Sequence, residues 1–269
     1  MQSWGAVPTG IISDVHSNVD ALAAVWRALQ ERGVREVVSL GDVVGYNTFP
    51  GETIDLMRRA GIRGVRGNHD LMVLGKIPPT SCGPRGRRAV AWTARAISPA
   101  DRAFLEALPA QVRRDERALF VHSRLGDPVG RMQLPGEFVA EHRFLNRQFP
   151  RLRICFTGHT HEQAAMEITK QGGVRRDVSD ISLDPESFYF VNPGSVGEPR
   201  SNDHRAAFAI YDARAGTITF HRVEYDRSRV LEENVRRGLS HRESRIRSLA
   251  ARVMVRARSL AFQVIPGRS

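Results

Sequence analysis

Five apolar runs in this chain end in the same kind of residue. GIISDVH closes on Asp14 and His16, and VVSLGD closes on Asp42. GVRGNHD closes on Asn68, His69 and Asp70, LFVHS on His122, and ICFTGHTH on His159 and His161. Five of the nine histidines stand just past such a run, whereas His142, His204, His221 and His241 do not. Short apolar runs bounded by turn residues read as buried strands. In open α/β sheets the crevice beyond the carboxyl ends of the strands is where ligands bind. Each piece alone is weak. Asp14 and His16 could do no more than cap the helix that follows, because Asp and Ser are frequent N-caps. Gly41-Asp42 and Gly67-Asn68 could be plain turns. Taken in order, the five strand ends point to one site.

The residue types specify its chemistry. Imidazole nitrogen, carboxylate oxygen and amide oxygen together suit borderline divalent ions such as Mn, Fe and Zn. The two cysteines, Cys82 and Cys155, form neither a zinc-type pair nor a disulfide framework, which argues against a structural zinc site. Seven candidate ligands (Asp14, His16, Asp42, Asn68, His122, His159, His161) are too many for one ion. They suffice for two if one carboxylate bridges. Two ions about 4 Å apart could acidify a shared water and clamp both oxygens of an in-line displacement at phosphorus.

The surrounding pattern is α/β. VPTGIIS is followed by the amphipathic NVDALAAVWRALQERG, which stops at Gly33, and then by REVVSL, GETIDLMRRAG and IRGVRG. Strands separated by helices at this spacing argue for βαβ units and a parallel sheet. KIPPTSCGPRGRR reads as a loop leading into two helical stretches, AVAWTARAI and PADRAFLEAL. ALFVHS and LRICFTG are strands flanking a helical GEFVAEHRFLNRQF. After His161 four strand runs follow without helices (QAAMEI, SFYFVN, RAAFAIYD and TITFHRVEYD), and this half reads as an antiparallel meander.

At these residues the sequence resembles the calcineurin-like metallophosphoesterases. The motifs are D-x-H (Asp14, His16), GD (Asp42), GNHD (Gly67 to Asp70), a single His after a strand (His122) and GHTH (Gly158 to His161). NPGSVGEPR (Asn192 to Arg200), followed by AAFAIYD, is similar to the small bacterial YfcE-like branch. The resemblance covers about residues 9 to 226. It implies a fold of two packed mixed β-sheets flanked by helices, an α/β/β/α sandwich. It implies that Asp14, His16 and His161 hold one metal, that Asn68, His122 and His159 hold the other, and that Asp42 bridges them. His69 would stabilise the transferring phosphoryl group or protonate the leaving oxygen, with Asp70 orienting its ring. The implied activity is hydrolysis of phosphomonoesters or phosphodiesters, nucleotide-like or other small substrates, by in-line attack of a metal-bridging hydroxide. Manganese is the first expectation, with Fe, Zn, Ni or Mg as alternatives. GDVVGYN and GNHD depart from the GDxVDRG and GNHE forms of the protein Ser/Thr phosphatases. VHSRLGD departs from the VHGS form of the small bacterial branch.

Among Arg66, Arg85, Arg87, Arg88, Arg124 and Arg200, which could supply bidentate contacts to phosphate, Arg66 and Arg124 are favoured because both adjoin metal motifs. Lys76 to Arg88 could wall the substrate pocket, form a mobile lid or be a plain connecting loop. Asn192 to Val196 is expected to form a tight turn packed beneath the site.

Composition bears mainly on the C-terminus. The 269 residues are 41% hydrophobic, enough for a substantial core, and carry a net charge of +11. From Arg227 to Ser269 eleven arginines face three glutamates, a net of +8, which leaves +3 for everything before it. Residues 1–226 therefore read as the metallophosphoesterase domain and 227–269 as an Arg-rich helical tail. Ile246, Leu249, Val253, Met254, Ala257, Leu260 and Val264 fall near one helical face. Such a helix could dock on the domain, pair with a second subunit as a homo-oligomer, or meet an anionic membrane or nucleic acid. The chain shows neither a membrane-length apolar run nor a secretory signal pattern, and its thiols suit a reduced setting, so a cytoplasmic location is expected. Two other functions stand beside phosphoester hydrolysis: a non-catalytic metal-binding scaffold of the same fold, and a nucleic-acid-processing phosphodiesterase guided by the basic tail.

Overall fold

A computed structural model describes residues 7–239, and among them twelve strands form two mixed six-stranded sheets. The first sheet opens with β1 (Thr9–Ile12), β2 (Glu36–Ser39) and the two-residue β3 (Arg63–Gly64), all parallel. They are joined by α1 (Val19–Glu31) and α2 (Pro50–Arg59), so the expected βαβ units are present. In α1, Ala21, Leu22, Val25, Ala28 and Leu29 recur at helical spacing and form its buried face. Its N-cap is Asn18, whose side chain accepts from the Ala21 N–H, and Gly33 follows its end in the left-handed region at φ 72°. Asp14 and His16 are thus free of capping duty.

After α3 (Asn68–Val73) and a 3₁₀ turn at Pro79–Ser81, the chain forms α4 (Pro84–Ala96) and α5 (Pro99–Ala107). The segment expected to be loop as far as Arg88 is already helical from Pro84. Proline's fixed φ suits the first helical turn, where its missing N–H costs nothing. β4 (Gln111–Arg114) and β5 (Ala118–Val121) form a hairpin that opens the second sheet. α6 (Pro135–Gln148) then crosses to β6 (Ile154–Phe156), parallel to β5. The rest of the chain supplies β7 (Gln163–Ile168), β8 (Val174–Asp177), β9 (Ile181–Ser182), β10 (Phe188–Pro193), β11 (Ala206–Asp212), β12 (Thr217–Val223) and α7 (Ser228–Arg236).

These late strands do not form the expected meander. β10 inserts between β6 and β7, parallel to one and antiparallel to the other, while β11 returns to pair with β1. The strand orders are β3-β2-β1-β11-β12-β9 and β4-β5-β6-β10-β7-β8. The reason lies in burial. Every residue of β10 is buried, as a central strand covered on both faces requires, whereas a meander leaves one face to water.

Between the sheets Ile11, Val38 and Leu40 meet Phe120, Phe156 and Val191, with the Phe120 and Phe156 rings stacked at 4.9 Å. Outside the first sheet lie α1, α2, α4 and α5, whose Leu22, Ile54, Val90 and Leu105 belong to a second core. Outside the second sheet, Phe138 and Leu145 of α6 pack on Leu119, Phe190 and Met166. The layers are those of the expected α/β/β/α sandwich. Residues 227–239, the described part of the expected tail, carry α7 and pack on the body through buried Val230, Asn234 and Leu239. The apolar stripe Ile246 to Val264 lies outside the described residues. No described helix is long and apolar enough to cross a membrane.

Candidate metal centre

All seven candidate ligands are buried, and all follow the carboxyl ends of β1, β2, β3, β5 and β6, so both sheets contribute. Two groups converge: Asp14, His16 and His161 in one, Asp42, His122 and His159 in the other, with the ligand atoms of each group within 4.8 Å of one another. Asn68 joins the second group, its Oδ1 lying 2.8 Å from His122 Nε2 and 2.9 Å from His159 Nδ1. Asp42 stands between the groups. Its Oδ2 is 3.6 Å from His16 Nε2 and 3.4 Å from His122 Nε2.

The backbone at these positions is under strain. Asp14, His16, Asp42, His159 and His161 all sit in the left-handed region, with φ between 49° and 66°. Non-glycine residues enter that region at a cost of roughly 1–3 kcal/mol each and stay only when their surroundings hold them there. Here a dense set of hydrogen bonds does so. The Asp14 and His16 N–H groups donate to the carbonyls of Gly41 (3.1 Å) and Asp42 (2.9 Å). The His159 N–H donates to Asp14 Oδ2 at 3.1 Å, and the His69 N–H to Asp42 Oδ1 at 2.7 Å. From below, Ser195 Oγ donates to the Asp14 carbonyl at 2.8 Å, and the Val196 N–H donates to the Ser13 carbonyl at 2.9 Å. The Asn192–Val196 turn therefore packs beneath the site, as expected.

The imidazoles are arranged as ligands. Nδ1 of His16, His122 and His161 faces the carbonyls of Val44 (3.2 Å), Leu40 (2.8 Å) and Glu198 respectively. A carbonyl only accepts, so each Nδ1 carries a hydrogen and the neutral ring presents its Nε2 lone pair inward. The two Nε2 atoms of His16 and His161 then face each other at 3.2 Å. Two lone pairs at that separation repel unless an electrophile lies between them. Asp14 Oδ1 and His159 Nε2 are also buried without a hydrogen-bond partner. These donors fit divalent cations. Burial holds His16 and His122 below their usual range and brings His159 from 6.5 to about 3, which keeps all three rings neutral and able to ligate. Burial and the neighbouring Asp14 raise Asp42 well above the carboxylate range, the response of a buried acid next to another acid.

His69 stands apart from the donors. Its ring is 4.8 Å from that of His16, its Nδ1 is buried without a partner, and its Nε2 lies 3.5 Å from Cys82 Sγ. The expectation that Asp70 orients this ring is not met. Asp70 Oδ2 accepts from the Gly67 N–H at 2.8 Å and Oδ1 from the Val44 N–H at 3.1 Å. Asp70 thus ties the GNHD turn to the GD loop, and Cys82 is what the ring touches.

Among the arginines, Arg124 is anchored to a helix. Its Nε donates to Glu141 of α6 at 3.1 Å, which ties the side chain to that helix. Arg66 is half-buried at the site's margin, its N–H donating to the Pro109 carbonyl. Arg85 is taken up by a two-pronged pair with Glu198. Arg200, which was not favoured, is exposed, and its charge bears on Asp42, Tyr46, His69 and Cys82. The charge of Arg131 bears on His159 and Cys82. Sequence reasoning also passed over Tyr46, whose ring lies 4.7 Å from both His16 and His69. The available signal was Gly45 (φ 110°), where a Cβ would strike the His69 ring.

The double sheet and its paired donor groups define a metal-binding phosphoesterase architecture. The chain belongs to the calcineurin-like phosphoesterase superfamily, whose domain matches residues 8–216. Uncharacterized protein MJ0912 of Methanocaldococcus jannaschii is 32% identical over 232 residues, spanning 85% of this chain and 92% of that protein. The crystal structure of a metallophosphoesterase from Sphaerobacter thermophilus superposes with a TM-score of 0.70 at 33% identity, covering 89% of this chain and 97% of that one. Hypothetical protein PH1004 of Pyrococcus horikoshii OT3 shares the fold at 18% identity and a TM-score of 0.69, covering 89% and 96%.

Proposed function

We propose that this phosphoesterase-family protein is a dinuclear, metal-dependent hydrolase of small phosphomonoesters or phosphodiesters. The observation that carries the reading is Asp42 Oδ2 lying within 3.6 Å of a histidine from each donor group. Asp14, His16 and His161 would hold one ion and Asn68, His122 and His159 the other, with Asp42 shared; manganese is proposed ahead of Fe, Zn, Ni or Mg. Bound there, such ions acidify water and neutralise charge on a phosphoryl group.

The chain's own groups do the rest. Burial, with His161, His122 and Arg200 nearby, holds His69 at about 3, so the neutral ring offers one N–H and one lone pair beside the donors. That N–H is placed to hydrogen-bond a phosphoryl oxygen or the leaving oxygen. Arg200 and Arg131 are the cations placed to attract the substrate's phosphate, with Arg66 at the margin. A cavity of about 270 Å³ adjoins the His159 loop and shares Gly158 and Thr160 with it. Met132, Phe138, Met166 and Phe190 supply its apolar lining, and Gln133, Glu162 and Arg176 its polar groups. This half-apolar space suits the organic part of a nucleotide-sized ester.

The test is turnover by manganese-loaded protein of 4-nitrophenyl phosphate, bis(4-nitrophenyl) phosphate and a nucleotide panel. Hydrolysis of at least one, abolished by chelation, is expected. Metal-loaded protein inert toward all of them contradicts the reading and favours a binding scaffold.

A further inference from the structure

The C-terminal segment reaches the first donor group by two separate routes. On the first route, Asn234 of α7, 1% exposed, donates through Nδ2 to Asn47 Oδ1 at 2.7 Å. Asn47 in turn donates to the His16 carbonyl at 2.9 Å. The Asn47 bond thus steadies the backbone of His16, a residue in the left-handed conformation whose ring faces the Val44 carbonyl through Nδ1. On the second route, the Leu239 carbonyl accepts from Arg85 Nε at 3.2 Å. Arg85 grips the Glu198 carboxylate with both terminal nitrogens and lies 5.0 Å over the Tyr46 ring. The Glu198 carbonyl then fixes Nδ1 of His161.

Both routes therefore end on His16 and His161. The contacts of the second donor set lie elsewhere: Nδ1 of His122 faces the Leu40 carbonyl, and Nδ1 of His159 faces Asn68, itself a member of that set. Three further residues hold the segment on the body. Arg229 pairs with Asp20 and Glu52 and lies 4.0 Å over the Phe49 ring, Arg237 lies 5.8 Å over Trp92, and Tyr225 accepts from Asn18 at 2.9 Å.

We propose that residues 225–239 act as a strap whose Asn234 and Leu239 position His16 and His161, so that the C-terminal segment sets the affinity of the first metal subsite independently of the second. The proposal rests on the two-metal reading above and adds a regulatory handle to it. Whatever pulls the segment away loosens one ion and leaves the other. Outer partners of metal-ligating histidines are commonly worth 10- to 100-fold in metal affinity.

The experiment is calorimetric titration of metal-free full-length protein with Mn²⁺, comparing wild type with Asn234→Ala and with Arg85→Met. Arg85 is at a half-exposed position, so its variant keeps the test open if Asn234→Ala does not fold. Wild type is expected to show two binding events. Each variant is expected to weaken one of them by about tenfold or more and to leave the other within about twofold. Loss of thermal stability alone, with both affinities unchanged, overturns the proposal, and so does equal weakening of both events. Wild type that binds no metal, or a single ion, contradicts the two-metal reading itself, an outcome distinct from either of these.

Discussion

Asp42 is the residue on which the site depends. One oxygen lies between the two histidine sets while the other is held by the His69 N–H at 2.7 Å, so the carboxylate is locked in place. Asp42→Asn keeps the shape and removes the charge. It is expected to lose both ions together, read as metal content after dialysis; retention of one ion shows that the group is not shared. His69 makes a different prediction. It touches Cys82, and its Nδ1 has no partner, so His69→Ala is expected to keep full metal content. Its turnover is expected to fall roughly 100- to 10,000-fold, the usual effect of removing a positioned proton-transfer group. A variant that sheds metal makes His69 a ligand instead. The candidate ligands were legible because each is a carboxylate, imidazole or amide residue placed right after an apolar run. Asp70, Arg124 and Arg200 were not, because their roles depend on neighbours distant in sequence. Glu141 captures Arg124 from another helix, and nothing in VHSRLGD announces it.

At the scale of elements, the βαβ half was readable because its helices and strands alternate and β1 to β2 are neighbours in both chain and sheet. Among the later strands β7, β10, β11 and β12 were found one by one but misassembled, and the exposed β8 was missed. Pairing of β10 with β6 and of β11 with β1 is long-range, and a strand's own apolar run does not name its partner. The two-residue β9 is too short to leave a pattern. Where elements cross, the loops are tightly packed. A Cβ on Gly158 would collide with Ser13 Oγ and come within 2.9 Å of Asp14 Oδ2, so the GHTH loop can pass the β1 loop only as glycine. Gly158→Ala is expected to cost on the order of 1–3 kcal/mol in unfolding free energy, the range for overpacking. It should also weaken metal binding, because the same loop carries His159 and His161. A denaturation midpoint and metal affinity both equal to wild type contradict that crossing.

For the whole molecule, the buried histidines predict how the metal-free protein responds to acid. Burial lowers His16, His69, His122 and His159, the second and fourth from 6.5 to about 3. Below pH 6.5 the unfolded chain takes up protons at these rings that the folded state refuses. Their contribution is therefore complete above pH 6.5 and is lost as pH falls, for His69 and His159 toward 3. Burial raises Asp42 and brings Asp70 to about 6, which works in the opposite sense: both contributions are complete below pH 3.8, and that of Asp70 is lost as pH rises through 6. Four imidazoles outweigh two carboxyls. The melting temperature of metal-free protein is expected to fall between pH 7 and pH 4, and bound metal should widen the gap because protons compete with the ions for the same nitrogens. A flat or rising profile contradicts the buried, neutral state assigned to these rings.

The most direct measurement is anomalous diffraction at the manganese edge from crystals grown with Mn²⁺. Two peaks are expected, one among Asp14, His16 and His161 and one among Asn68, His122 and His159, with the Asp42 carboxylate between them. A single peak, or density remote from Asp42, contradicts a shared dinuclear site.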